Sequence, residues 1–389
     1  MYFKAKKMIT REITVAFDGG TSSTKAIASY PTKKCPINDE GYFLLSSSVR
    51  ELTKQTYIDL LQNVEEGVGL DTSLVSFVHP ATNQTVYWQT GTIAKAGLLS
   101  VRERKFETLI IKIIAFVGYL ASCSGIDRDV ELNLGILLPL DEIKDRQLIC
   151  QWLRKIISSR EGFIVDGLTI NNLKIKRMNC KPEGYGIFKN SKSDRTGILM
   201  MGHSDWSWLY FGRGSFCSDL SKTFPGSGMH DFIKNIGFSI QEEIAAARVI
   251  AEAGTEYDES VLIELTQTRS KDELDLLVNA IKAVHPQYWK ERESEIDTLS
   301  IERADTVLVA GGAAYYFTSK LNSLFLEKYD LKLDWCKSLK KEFSDRFAVK
   351  KSNKSIPLLL DCFGYFKFIS EPKSVSASVE NKKTILKVS

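Results

Sequence analysis

The chain has 389 residues, of which 43% are hydrophobic and 26% charged, and its formal net charge is +4. Because single domains usually hold about 100–150 residues, this length predicts at least two structural units. Aromatic residues make up 10% of the chain and only 9 residues are proline, which excludes a disordered or fibrous protein. The small net charge argues against direct nucleic-acid binding, which usually needs a concentrated basic face.

The composition favours a cytoplasmic protein over a membrane or secreted one. The most apolar stretch, residues 109–121, contains Lys112 and is shorter than the roughly 20 residues that span a bilayer. The N-terminus lacks the apolar segment and cleavage site of a signal peptide. The seven cysteines are scattered without C-x-x-C spacing, which favours reduced thiols. The four histidines are too dispersed along the sequence to predict a metal site.

The N-terminal half alternates between predicted strands and helices. An apolar run at residues 13–17 predicts a strand, followed by a tight turn and a second strand from Lys25. The amphipathic pattern of residues 105–122 predicts a buried helix from which Lys112 faces outward. The other predicted elements are a loop at 30–41, a hairpin at 74–90, a strand at 130–138, a helix at 141–158, two short strands at 163–176 and a loop or helix start at 180–185.

The C-terminal half opens with the same strand–turn–strand pattern, at residues 197–212. A strand at 305–310 precedes paired glycines and a helix that reaches about residue 325, and residues 356–360 predict a last strand followed by a helix. The remaining predicted helices are 227–236, 239–253, 257–267 and 271–284. The repeated opening indicates a tandem of two similar α/β halves.

The segment Asp18-Gly-Gly-Thr-Ser-Ser-Thr-Lys25 carries the most chemical information. Its paired glycines allow the backbone to approach a bulky anion, and its hydroxyl groups and Lys25 are donors suited to phosphate. Asp18, at the end of a strand, can hold the water shell of a magnesium ion. The segment does not match the Walker pattern. An ordinary hairpin turn is the alternative interpretation.

Two further glycine turns follow strands in the second half. Residues 201–205, Met-Gly-His-Ser-Asp, join two strands, and residues 309–313, Val-Ala-Gly-Gly-Ala, join a strand to a helix. Paired glycines at such a turn allow either close approach of a ligand or close packing of helix on strand. Each turn alone is compatible with a purely structural role.

In their order and spacing the three segments resemble the actin/Hsp70/sugar-kinase superfamily, whose members clamp ATP between two related α/β lobes. Within it, the chain is most similar to the ParM/StbA-type bacterial actins of plasmid segregation. The resemblance covers roughly residues 12–370 and extends to four other segments, which are Leu137–Arg146, Lys181–Tyr185, Ser227–Met229 and Asp361–Gly364.

The resemblance implies an α/β, actin-like two-lobed fold with duplicated ribonuclease H-like lobes around a nucleotide cleft. The implied lobe I comprises residues 12–181 and about 362–370. The implied lobe II comprises residues 182–361. Residues 1–11 and 371–389 are expected to form flexible termini.

The resemblance also implies roles for individual residues. Glu183 positions water for attack on the γ-phosphate, and its alternative role is that of a helix-start carboxylate after Pro182. Asp18 faces the hydrated magnesium ion. The implied nucleotide-binding residues are Asp18, Gly19, Gly20, Thr21, Ser22, Ser23, Lys25, Gly202, His203, Ser204, Gly311, Gly312 and Ala313.

One position departs from the family pattern. Family members usually carry an aspartate two residues before the first glycine of the second hairpin, where this chain has Met200. A thioether does not bind hydrated magnesium as a carboxylate does. Asp205 is expected either to substitute in part as a metal-facing residue or to cap the turn. His203 also stands where the family has glycine. We therefore expect ATP binding with slow hydrolysis.

The resemblance implies a filament-forming protein that binds ATP or GTP with magnesium and reaches DNA through an adaptor protein, without membrane or direct nucleic-acid contact. A non-hydrolysing, nucleotide-gated scaffold and a small-molecule kinase are the alternatives, and no sugar-kinase signature surrounds a candidate catalytic aspartate. The basic run at 332–354 is predicted to be a solvated helix face. Trp206 and Trp208 are predicted to pack in the interior.

Overall fold

The structure is a computed structural model that describes residues 11–32, 38–64, 69–96, 105–125, 129–238, 243–350, 353 and 355–371. The predictions for residues 1–10, for part of the 30–41 loop and for the C-terminal tail from 372 lie outside this part. The strands are β1 (Arg11–Asp18), β2 (Thr24–Tyr30), β3 (Asp39–Leu45), β4 (Val49–Leu52), β5 (Thr72–Val78), β6 (Thr85–Gly91), β7 (Val130–Leu138), β8 (Phe163–Val165), β9 (Leu168–Ile170), β10 (Leu173–Pro182), β11 (Arg195–Met201), β12 (Trp206–Gly212), β13 (Ser215–Phe216), β14 (Lys222–Phe224), β15 (Thr306–Ala310) and β16 (Leu333–Asp334).

Helices occupy most of the remaining described residues. They are α1 (Lys54–Leu61), α2 (Lys105–Ser124), α3 (Arg146–Ile157), α4 (Tyr185–Lys189), α5 (Met229–Ile236), α6 (Glu243–Ala253), α7 (Glu259–Leu262), α8 (Lys271–Ile296), α9 (Thr318–Tyr329), α10 (Lys337–Arg346) and α11 (Ile356–Ser370).

Two sheets share one topology. The first has the order β10-β7-β1-β2-β3, and the second has the order β16-β15-β11-β12-β13, with β14 also paired to β12. In both, an antiparallel hairpin (β1–β2, β11–β12) is extended on one side by parallel strands. On the other side both continue with an antiparallel strand. The structure thus confirms the expected α/β fold with two related halves.

A third, antiparallel sheet belongs to the first half and has the order β4-β6-β5-β8-β9. It packs against α2, which also contacts β2 of the first sheet. By length and composition, Phe106–Ser124 could cross a membrane, and 72% of its most apolar window is buried inside the fold. Because a core helix of a water-soluble protein passes the same test, the contacts assign α2 to the hydrophobic core.

The last described helix corrects the prediction for residues 356–360. These residues do not form a strand, because Ile356–Ser370 is one continuous helix, α11. It packs against β1 and β2 of the first sheet and crosses the short helix α4. A side chain on Gly186 would overlap the backbone of α11, and one on Gly364 would overlap the backbone of Gly186. The two glycines therefore permit a close helix crossing.

The other differences concern element ends. Residues 140–145 form a 3-10 turn before α3, and 263–265 form another after α7. Helix α8 continues to Ile296, past Pro286, although the sequence predicts an end at 284. The helix keeps Pro286 because its following turns bury Tyr288, Trp289 and Arg292.

Two predictions about the second half agree with the structure. Trp206 and Trp208 lie in the core, where Trp206 stacks on Phe224 at 4.2 Å between ring centroids. A 3-10 turn at 313–315 and helix α9 follow the paired glycines after β15.

Candidate functional site

A cleft of about 480 Å³ lies at the carboxyl ends of the parallel strands of both duplicated sheets. Ligands of open α/β sheets bind at this edge, because the loops after the strands leave a crevice there. Every residue to which the family resemblance assigns the nucleotide, the metal or the attacking water lines this one cleft. Residues from three separate glycine turns therefore meet at one place.

The first loop is ordered by Asp18 at the end of β1. Its Oδ1 accepts a hydrogen bond from the backbone N of Gly20 at 2.9 Å, and its Oδ2 accepts one from Nζ of Lys25 at 2.9 Å. Burial lowers the pKa of Lys25, and the adjacent Asp18 carboxylate more than compensates, so the net shift is upward. The positively charged ammonium group of Lys25 therefore lies next to the backbone of the first loop, residues 19–23.

The second hairpin is closed by a hydrogen bond from the N of Gly202 to the O of Asp205 at 2.9 Å. Asp205 Oδ1 also accepts from the N of Gly226 at 2.8 Å, so this residue caps a turn while it lines the cleft. Met200, opposite Ala310 in the sheet, lines the cleft at the position where the family has aspartate. Burial lowers the pKa of His203, with Glu243 opposing the shift.

The third turn requires glycine for a steric reason. Gly311 has a φ of +91°, and a side chain there would overlap the backbone of Met201 at the end of β11. This close approach brings the turn after β15 against the second hairpin. Gly312 and Ala313 follow in the segment that leads to α9, and both line the cleft.

Glu183 follows β10, and its backbone N donates to the O of Leu138 at 2.8 Å. Burial raises the pKa of its carboxyl group to about 8, and the charges of Asp18 and Asp361 add to the effect while Lys25 opposes it. Its neighbour Gly184 begins α4 and gives that helix no side-chain cap. The backbone N–H groups at the start of α4 donate to Asp361, and Glu183 lines the cleft near the first loop.

Asp361 of α11 provides the missing cap. Its Oδ2 accepts from the N of Gly184 at 2.5 Å, and its Oδ1 accepts from the N of Gly186 at 2.8 Å and of Ile187 at 3.1 Å. Burial raises its pKa to about 7, against the lowering effect of the three backbone donors. Asp361 connects α11 to the start of α4, immediately after Glu183 in the chain.

Lys112 is a cleft residue that the sequence analysis assigned to the outer face of α2. The structure corrects this prediction, because Lys112 is 9% exposed and its Nζ donates to the O of Gly19 at 3.1 Å. Burial lowers its pKa to about 8, with Asp18 opposing the shift and Lys25 adding to it. The only charged residue within an otherwise apolar stretch was the signal that could have identified it.

A second group that the sequence analysis missed forms a wall of the cleft in the second half. Five residues of α6 at helical spacing line the cleft, of which Ile244, Ala247 and Ala251 are apolar, and Tyr315 lines it as well. Small apolar side chains beside an aromatic ring suit a flat heterocycle. The other two helix residues at the cleft are Arg248 and Glu252.

The residues present fit a hydrated magnesium ion. Each oxygen of Asp18 accepts one hydrogen bond from the protein, which leaves a lone-pair direction on each for a metal-bound water. Magnesium keeps most of its water shell in proteins, so a carboxylate that acts through water suffices. Met200 supplies no second carboxylate from the opposite half.

No protein-family model matches the chain, and no curated protein matches its sequence. Solved structures do match over 92% of the chain. They include a 15-stranded ParM filament from Clostridium botulinum (16% identity, 99% of that chain, TM-score 0.56). They also include Bacillus thuringiensis ParM with AMPPNP (12%, 98%, 0.55) and an Alp12 filament (13%, 98%, 0.52). The chain has the actin-like fold of the ParM and Alp proteins.

Proposed function

We propose that this chain is an actin-like protein that binds ATP with magnesium between its two lobes and assembles into filaments in the cytoplasm. The observation that carries the proposal is the convergence of three glycine turns, from both halves of the molecule, on one cleft that also holds Lys25 and Lys112. Oriented backbone N–H groups and two lysines suit a polyphosphate. The proposed lobes divide near residues 181 and 361.

Each part of the cleft has a role in this proposal. The first loop and Lys25 bind the β-phosphate, the second hairpin binds the outer phosphates, and the apolar wall of α6 with Tyr315 receives the base. Magnesium, held through water by Asp18, neutralises phosphate charge when it is bound. Glu183 accepts a hydrogen bond from the attacking water and orients it. Positioning and charge neutralisation account for most of the catalysis of phosphoryl transfer.

Filament assembly and DNA segregation are proposed from the solved structures with the same fold. The Clostridium botulinum ParM and Alp12 structures are filaments, and Bacillus thuringiensis ParM was solved with ATP, ADP and AMPPNP. Head-to-tail contacts whose rotation does not close produce filaments. The net charge of only +4 favours contact with DNA through an adaptor protein.

Equilibrium binding and phosphate release test the proposal together. A fluorescent ATP analogue and its GTP counterpart are titrated with magnesium, and phosphate release is then followed. We expect saturable binding of one nucleotide per chain. Glu183→Gln should bind within about threefold of the wild type and release phosphate about 100-fold more slowly, the contribution of a positioned acid–base group. Glu161→Gln, at an exposed site, is the matched control. Absence of saturable binding by either nucleotide contradicts the proposal.

Met200 favours a second candidate, a filament that nucleotide binding alone assembles. The thioether of Met200 stands in place of a second carboxylate. The cleft therefore keeps the glycine turns proposed to bind phosphate and lacks one carboxylate that would hold magnesium. This candidate predicts wild-type binding and assembly with no phosphate release above the Mg-ATP blank. Phosphate release that Glu183→Gln abolishes excludes it.

A further inference from the structure

Two histidines and one glutamate from three separate segments meet beside the second hairpin. His203 lies in the turn between β11 and β12, His230 in the first turn of α5, and Glu243 begins α6. Glu243 Oε1 is 2.9 Å from His203 Nε2 and 2.5 Å from His230 Nδ1. All three atoms lie within 4.8 Å of one another. Among the described residues, this is the only such group of three histidine, cysteine or acidic residues.

Backbone hydrogen bonds hold the segments that carry these side chains. The N of His230 donates to the O of His203 at 2.8 Å, and the N of Gly228 donates to the O of Ser204 at 3.1 Å. A side chain on Gly228 would overlap the backbone of His203, so the start of α5 rests directly on the hairpin. Helix α6 packs against α5. The positions of the three side chains are therefore built into the fold, which is what a binding site requires.

The donor set matches the preferences of divalent transition metals. Imidazole nitrogen and carboxylate oxygen bind zinc at about 2.0–2.2 Å, and two histidines with one glutamate leave a further position open for water or a ligand. In a tetrahedral site of this size the ligand atoms stand about 3.4 Å apart. To reach this value, the distance from Glu243 Oε1 to His203 Nε2 lengthens by about 0.5 Å and the distance to His230 Nδ1 by about 0.9 Å. Small side-chain rotations allow both changes.

We propose that His203, His230 and Glu243 form a binding site for zinc or another divalent first-row transition metal. The site adjoins the second phosphate turn, with which it shares His203, and its ligands are nitrogen-rich where magnesium prefers oxygen. A bound metal would link the start of α6 to the hairpin that carries His203. Several other residues of α6 line the cleft. Binding of the metal does not depend on the proposed nucleotide function.

Metal titration without nucleotide tests the proposal. Purified protein without a histidine tag is titrated with zinc by calorimetry and with cobalt, whose visible absorption bands distinguish nitrogen and oxygen ligands from cysteine sulfur. We expect one metal ion per chain and a cobalt spectrum without thiolate bands. His230→Ala and Glu243→Gln should each weaken binding at least about 100-fold, beyond the usual 10–100-fold effect of losing an outer-shell partner. Both residues are partly exposed, so these variants are expected to fold.

Matched controls make the result specific. His79→Ala removes a histidine of the first half, and Glu256→Gln changes an exposed glutamate just beyond α6. Both should bind metal as the wild type does. The proposal is overturned if zinc and cobalt show no stoichiometric binding, or if affinity is the same in His230→Ala, Glu243→Gln and the wild type.

Discussion

Lys25, Lys112, Asp18 and Glu183 lie on the first-half side of the cleft, and their charges influence one another. Asp18 is paired with Lys25 at 2.9 Å, whereas Lys112 is bound only to the carbonyl of Gly19 among its described hydrogen bonds. Burial lowers the pKa of Lys112 to about 8 and raises that of Glu183 to about 8. Both groups are therefore held in a site that penalises their charged forms. A polyphosphate would stabilise the charge of Lys112.

Lys112→Met tests this contribution. The substitution keeps an unbranched side chain that is one atom shorter and removes its charge, so we expect the affinity for ATP to fall about tenfold, or about 1.4 kcal/mol, with adenosine affinity unchanged. Lys290→Met, at an exposed site on α8, is the control and should leave both affinities unchanged. Isothermal titration calorimetry with ATP and with adenosine separates an effect on phosphate binding from an effect on adenosine binding. An equal loss for ATP and adenosine would place Lys112 outside the phosphate contacts.

The raised pKa of Glu183 predicts a pH-dependent stability. Because its folded-state pKa of about 8 exceeds the ordinary value of 4.5, the folded protein holds the proton more tightly than the unfolded chain. Its stabilising contribution is complete below about pH 4.5 and is lost as the pH rises through 8. In the nucleotide-free protein, urea unfolding should therefore show stability falling from pH 5 to pH 9, and falling less in Glu183→Gln. If stability falls equally with rising pH in Glu183→Gln, in the wild type and in the control Glu161→Gln, then Glu183 does not have a raised pKa.

At the scale of elements, α11 and α4 are connected at the cleft, which residues of both helices line. Asp361 of α11 accepts three backbone hydrogen bonds at the start of α4, which has no cap of its own. Two of the donors flank Tyr185, two residues after Glu183. The position of the candidate catalytic carboxyl group thus depends on a side chain that lies far away in the sequence.

Asp361→Ala should destabilise the protein by about 2–3 kcal/mol, because it removes a helix cap and leaves buried donors without an acceptor. Urea denaturation at pH 8, above the pKa of about 7 to which burial raises Asp361, measures the change. Asp345→Ala, on an exposed face of α10, should alter stability by no more than about 0.5 kcal/mol. A loss in Asp361→Ala as small as in this control would mean that the cap is not structural.

The elements that the sequence predicted well are those with a local signal. Apolar runs and turn residues predicted the β1–β2, β5–β6 and β11–β12 hairpins, and the resemblance that the glycine turns carry implied the cleft. Helix α11 was misassigned because it is buried on nearly all faces, so residues 356–360 lack the polar stripe that distinguishes a helix from a strand. The meeting of His203, His230 and Glu243 also left no local signal, because it arises from the packing of α5 and α6 on the hairpin.

For the whole molecule, duplication explains how two lobes serve one cleft. Each sheet places a hairpin turn at the same edge, and the two turns face each other across the cleft. Thr21 of the first turn and Ser204 of the second are hydrogen-bonded at 2.8 Å between their hydroxyl oxygens. Donors from both lobes therefore lie close enough to contact one phosphate chain. A ligand that bridges them would stabilise one arrangement of the two halves, and in our proposal nucleotide binding controls assembly in this way.

We propose that nucleotide in this cleft drives head-to-tail assembly, and high-speed sedimentation over a range of protein concentrations measures that assembly. With magnesium and ATP or AMPPNP, the protein should pellet above a critical concentration as filaments visible by electron microscopy, and it should stay in solution without nucleotide. A chain that remains in solution at every concentration with nucleotide bound, or that pellets equally with and without nucleotide, would show that nucleotide does not drive assembly.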